Sequence, residues 1–148
     1  GHSLGTFVAS YVAARKQAAG LVLQSPLTNA RDMTNALVPW FLRPLINFEI
    51  DQALRNEDNL REIKNVQEPL LVISGGQDKI TPQQMAHDLH DAAVSNYNEL
   101  KIIEGGPHNG METMKTYRQK IRMFYHRFMP AVSQETSPGN QADDQEGQ

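Results

Sequence analysis

The chain has 148 residues, is 39% hydrophobic and carries a net charge of -3, enough length for one globular unit and not obviously for two. It contains no cysteine, which excludes a disulfide framework and thiol chemistry, and no cluster of Lys and Arg of the kind that marks a nucleic-acid surface. No apolar run reaches the length of a membrane span, so compartment, membrane association and oligomeric state stay open.

The chain opens on Gly1-His2-Ser3-Leu4-Gly5, a G-x-S-x-G pattern that, between a strand and a helix, sets its serine on a sharp turn. Apolar residues then fall at Leu4, Phe7, Val8, Tyr11 and Val12, a spacing that predicts a helix with one buried face. Such a strained turn needs a strand feeding it, and none precedes Gly1, so the chain reads as the C-terminal part of a longer protein. His2 is expected to point away from the reaction, because side chains alternate at the turn.

Gly20-Leu21-Val22-Leu23-Gln24 predicts a strand closed by Ser25-Pro26. From about Asn29 to Glu68 the rhythm breaks. Apolar residues between Trp40 and Ile50 are cut into short pieces by Pro39 and Pro44. This insertion is a candidate lid or acyl-chain pocket, with Trp40, Phe41 and Leu45 as its lining, or else a set of side chains that simply pack on the sheet.

Leu70-Leu71-Val72-Ile73-Ser74 predicts a second strand, ending in Gly75-Gly76-Gln77-Asp78 and leaving Asp78 at its C-terminal end. Thr81-Pro82-Gln83-Gln84 carries a capping-box start for a helix from about Pro82 to Val94. On it His87 and His90 lie beside Asp88 and Asp91; with no HExxH pattern or third ligand, a solvated face is the better reading than a metal site. Leu100 to Glu104 predicts a third strand, and the break at Gly105-Gly106-Pro107-His108-Asn109-Gly110 puts His108 on the loop after it. A last helix aligns Met111, Met114, Tyr117, Ile121, Phe124, Tyr125 and Phe128 to cover the sheet and stops at Pro130, with His126 at the surface. Ser133 to Gln148 carries Glu135, Asp143, Asp144 and Glu146 with no base and reads as a disordered tail. Without those acids the remainder is near neutral, and its charge points to no partner. Strands alternating with helices predict an α/β class: a parallel sheet with flanking helices.

The chemistry follows from what serine lacks. A hydroxyl is a poor nucleophile near neutral pH and needs a base, which in turn needs a partner to fix its tautomer. Ser3, Asp78 and His108 supply those types, each at the end of an expected strand, in the order serine, acid, histidine. Asp32, after the strand ending at Gln24, is an alternative acid. The Leu4 amide would be one oxyanion donor, and the chemistry calls for no metal or cofactor.

The three motifs GHSLG, GGQDKITP and GGPHNG resemble the nucleophile, acid and histidine motifs of the alpha/beta hydrolase superfamily, over Gly1 to about Pro130. In general pattern the chain is most similar to the serine-aminopeptidase-like and acylglycerol-lipase-like groups. The resemblance implies the C-terminal part of an alpha/beta-hydrolase fold over residues 1–130, a short helical lid insertion over 29–68 and a tail over 131–148. It also implies a serine hydrolase that cleaves an ester, thioester or small amide of a small-molecule or acyl substrate through an acyl-enzyme. A peptidase of the aminopeptidase-like type and a non-catalytic fragment are the alternatives. Taken alone, these 148 residues are expected to aggregate or unfold at moderate temperature and show at most trace esterase activity. The Leu21 to Gln24 strand would keep an unpaired edge, the first helix an uncovered face, and the site only one oxyanion donor.

Overall fold

A computed structural model describes residues 1–29, 32 and 58–129. The element order is α1 (Gly5–Ala13), β1 (Leu21–Gln24), α2 (Asn59–Glu62) running into a 3-10 turn (Ile63–Asn65), β2 (Leu70–Gly75), α3 (Gln83–Ala92), β3 (Asn98–Ile103), a second 3-10 turn (Met111–Thr113) and α4 (Lys115–Phe128). The strands are parallel in the order β1-β2-β3, with Leu21 opposite Leu70 and Leu70 opposite Asn98. The expected tail, residues 131–148, and the insertion residues Trp40, Phe41 and Leu45 lie outside the described residues.

The central strand is buried along its whole length, as an unbroken apolar run in a parallel sheet should be. Its alternation divides the core into two. Leu70 and Val72 pack with Leu21, Leu23, Ile63, Val66, Ala86 and Leu89 on one face, while Leu71 and Ile73 pack with Ile103, Met111 and Phe124 on the other. Each Val, Leu, Ile, Met or Phe side chain so buried contributes roughly 1.5–3 kcal/mol. Ile63 and Val66, which fall within the expected insertion, therefore belong to the first of these cores, and Asn29 meets Asp58 in an antiparallel bridge at the insertion's foot.

Phe7 is buried in α1 together with Thr6, Ser10 and Ala13, whereas Leu4, Val8, Tyr11 and Val12 are exposed, the uncovered apolar face expected of the first helix. In α4 the expected stripe is narrower: Tyr125 is exposed, while Tyr117, Ile121, Phe124 and Phe128 pack on the sheet. The outer edge of β1 is also partly paired: the Gly1 nitrogen donates to Val22 O (2.8 Å), Gln24 N to Gly1 O (2.9 Å) and Ser3 N to Gln24 O (3.0 Å).

At the top of the sheet two glycines bring neighbouring loops together. A Cβ on Gly75 would lie 2.2 Å from the Gly106 carbonyl oxygen, and one on Gly106 would lie 2.9 Å from Ile103 O. Gly76 N donates to Ile103 O (2.8 Å) and Gln77 N to Gly106 O (2.9 Å), locking the loop after β2 against the loop after β3. Gly75→Ala should therefore destabilise the protein by about 1–3 kcal/mol or more, since backbone rather than a flexible side chain blocks the new methyl. Thermal unfolding checks this, and a variant as stable as the parent would show that the loops can part freely.

Candidate active site

Ser3 has φ 50, one of two non-glycine residues in the left-handed region among the described residues. For a serine that conformation costs about 1–2 kcal/mol, and the surroundings hold it. On the strand side His2 bridges in parallel to Gln24; on the helix side Gly5 N donates to His2 O (2.8 Å) and Thr6 N to Ser3 O (3.0 Å). The buried Thr6 hydroxyl donates to Ser3 O (2.6 Å) and accepts from Asn59 Nδ2 (3.1 Å), which also donates to Leu27 O (2.6 Å). The first glycine of the motif is required: a Cβ on Gly1 would stand 2.5 Å from Gly5 O and 2.8 Å from the Ala9 Cβ. Leu4 caps α1, and its amide has no acceptor among the described residues.

Asp78 and His108 meet across the loops that Gly75 and Gly106 join. His108 Nδ1 and Asp78 Oδ2 are 2.9 Å apart, with the carboxylate inaccessible and the imidazole 11% exposed. The other donors to the carboxylate come from its own turn: Thr81 Oγ1 to Oδ2 (2.7 Å), and the amides of Ile80 and Thr81 to Oδ1 (both 2.9 Å). Burial by itself would raise the pKa of Asp78, but the hydroxyl and amide of Thr81, His108 and the Ile80 amide outweigh it and hold the group at about 2. An ionised carboxylate accepting from Nδ1 leaves Nε2 as the nitrogen able to accept a proton.

The depressed pKa makes Asp78 a source of stability present above the ordinary carboxylate range and lost as pH falls from about 4 towards 2. Thermal midpoints of the parent should thus fall more steeply over that window than those of Asp78→Asn. Parallel slopes would contradict it.

Thr81 does not cap α3 as its sequence pattern predicts. Its hydroxyl serves Asp78, and α3 starts at Gln83 behind Pro82 with no side-chain cap. The signal was present as an aspartate followed three residues later by a threonine, the pattern of a side-chain-closed turn. Asp32 is engaged with Thr28 Oγ1 (2.6 Å) and Asn29 Nδ2 (2.7 Å), in the turn after β1. His87 is exposed, and His90 pairs with Asp91 (3.0 Å). His126 is exposed on α4.

His2 was expected to point away, and it does not. Its Nε2 lies 3.1 Å from His108 O and its ring centroid 5.0 Å from that of His108. The structure thus brings Asp78 and His108 into direct contact and sets the turn bearing Ser3 beside them through His2. Among the described residues no hydrogen bond joins the Ser3 hydroxyl to the His108 ring; the ring's partners are Asp78 and Thr81.

An esterase domain from Rhodothermus marinus superposes with a TM-score of 0.65 at 14% identity, over 86% of this chain and 60% of that one. The acylaminoacyl peptidase of Pyrococcus horikoshii superposes with a TM-score of 0.60 at 19% identity, over 93% of this chain and 25% of that one. The fold is that of the alpha/beta hydrolase superfamily, and the chain spans part of it. In sequence, the uncharacterized protein Rv2307c of Mycobacterium tuberculosis is 32% identical over 114 residues, which is 77% of this chain and 38% of that protein. The chain therefore spans well under half the length of this curated relative. No family model matches the chain.

Proposed function

We propose that the chain carries the centre of a serine hydrolase acting on a carboxylic ester, thioester or small amide, with Ser3 as nucleophile, His108 as general base and Asp78 as its orienting acid. The observation that supports this most is the left-handed Ser3 on a strand-to-helix turn, at the same end of the sheet as the Asp78–His108 pair. In this reading His108 Nε2 takes the proton from Ser3 as its oxygen attacks the substrate carbonyl. The Leu4 amide, first at the helix N-terminus, donates to the oxygen that becomes negative. The tetrahedral intermediate collapses, the leaving group departs with the proton from His108, and the acyl group stays on Ser3. Water, activated by the same imidazole, attacks the acyl-enzyme and frees the acid.

The test is pre-steady-state kinetics of the full-length protein on short-chain p-nitrophenyl esters and on aminoacyl p-nitroanilides. A burst of about one equivalent followed by slower turnover on the esters supports the reading. Turnover confined to the anilides would favour a peptidase, and none on either would overturn both. The expected substrate pocket at Trp40, Phe41 and Leu45 is part of the same proposal: replacing them with alanine should raise KM for long acyl chains more than for short ones.

A further inference from the structure

Ser3 precedes β1 and His108 follows β3, so strand pairing alone does not set the distance between them: β1 and β2 lie between their two elements. Each is fixed locally, Ser3 by Gln24 O and Thr6 and His108 by Asp78. Among the described residues, two contacts reach from the strand end bearing the serine to the loop bearing the histidine, and both belong to His2: the Nε2 contact with His108 O and the ring contact with the His108 imidazole. A carbonyl oxygen can only accept, so His2 Nε2 must carry the proton.

We propose that His2 is a positioning residue, a tether that fixes the catalytic histidine relative to the adjacent nucleophile by donating from Nε2 to the His108 carbonyl oxygen. This inference rests on the serine-hydrolase reading. The tether acts on geometry alone: it touches neither the reacting carbonyl nor the proton in flight, and holds the loop so that Nε2 of His108 stays within reach of Ser3. Since a misplacement of about 1 Å can cost about a hundredfold in rate, its loss should be read mainly in kcat.

The experiment compares His2→Phe, His2→Gln and His2→Asn in the full-length protein with the parent and with Ser3→Ala, measuring kcat and KM on a p-nitrophenyl ester and the thermal midpoint. His2→Phe keeps a ring and loses the donor; its kcat should fall about tenfold to a hundredfold with KM nearly unchanged. Glutamine can place an amide near the position of Nε2, so His2→Gln should recover to within about fivefold of the parent, whereas the shorter His2→Asn should not. A loss of packing alone would not follow that order. Parent-like kcat in both His2→Phe and His2→Asn, or a His2→Gln no faster than His2→Asn, would overturn the tether while an inactive Ser3→Ala leaves the hydrolase reading standing. Full turnover by Ser3→Ala would instead overturn that reading, and the tether with it. Since His2 is exposed, the variants should unfold near the parent's temperature; should His2→Phe not fold, the Gln and Asn pair decides.

Discussion

Ser3→Ala should lower kcat for ester hydrolysis by about 10⁴- to 10⁶-fold while leaving the thermal midpoint almost unmoved. The size of the loss comes from the unit the residues form: without the serine oxygen there is no acyl-enzyme, and the imidazole can do no more than assist water. Stability should hold for two reasons. Alanine and serine both carry a Cβ, so the left-handed backbone at φ 50 is no more strained in the variant than in the parent. The hydroxyl also bonds to nothing among the described residues, so its removal orphans no buried partner there. His108→Ala should fall as far as Ser3→Ala, and the double variant little further, because members of such a unit do not add. A Ser3→Ala enzyme within tenfold of the parent would mean that another nucleophile carries the reaction.

Asp78→Asn should lower kcat by about 10⁴-fold with the fold retained. The two sides of this carboxylate are not equivalent. Oδ1 faces two backbone amides, which only donate, so an amide NH2 cannot sit there without repulsion; it must take the Oδ2 side, against His108 Nδ1 and the Thr81 hydroxyl. The hydroxyl can rotate to accept, but the imidazole can answer an NH2 donor only by giving up its proton at Nδ1. Its proton then resides on Nε2, and the ring can no longer take one from Ser3. Loss of the downfield Nδ1 proton resonance in Asp78→Asn, together with the drop in kcat, checks the argument; an unchanged resonance contradicts it.

The strands were legible because their signals are local. Leu70 to Ser74 is a short apolar run between breakers, and its Gly-Gly turn marked Asp78; the glycines around His108 marked the second loop in the same way. What the sequence did not disclose is which atoms meet when distant loops pack. Thr81 offered two local uses, a helix cap and a partner for Asp78, and local pattern favoured the cap; in the structure its hydroxyl bonds the carboxylate, and the helix begins at Gln83 with no side-chain cap. His2 was misread because alternation along one segment says nothing about a loop arriving across two intervening strands. In α1 the apolar periodicity marked a stripe of which Phe7 is buried, while Leu4, Val8, Tyr11 and Val12 form the uncovered face expected of that helix.

Mapping the adduct of a fluorophosphonate probe by mass spectrometry reads out whether Ser3 is the activated serine. Ser25 is a built-in control, being also left-handed at φ 46 but 0% exposed and on the turn after β1. A single adduct is expected on Ser3 in the full-length protein, absent from Ser3→Ala and His108→Ala and retained in Ser25→Ala. An adduct that maps to any other serine, or that persists in Ser3→Ala, would contradict it.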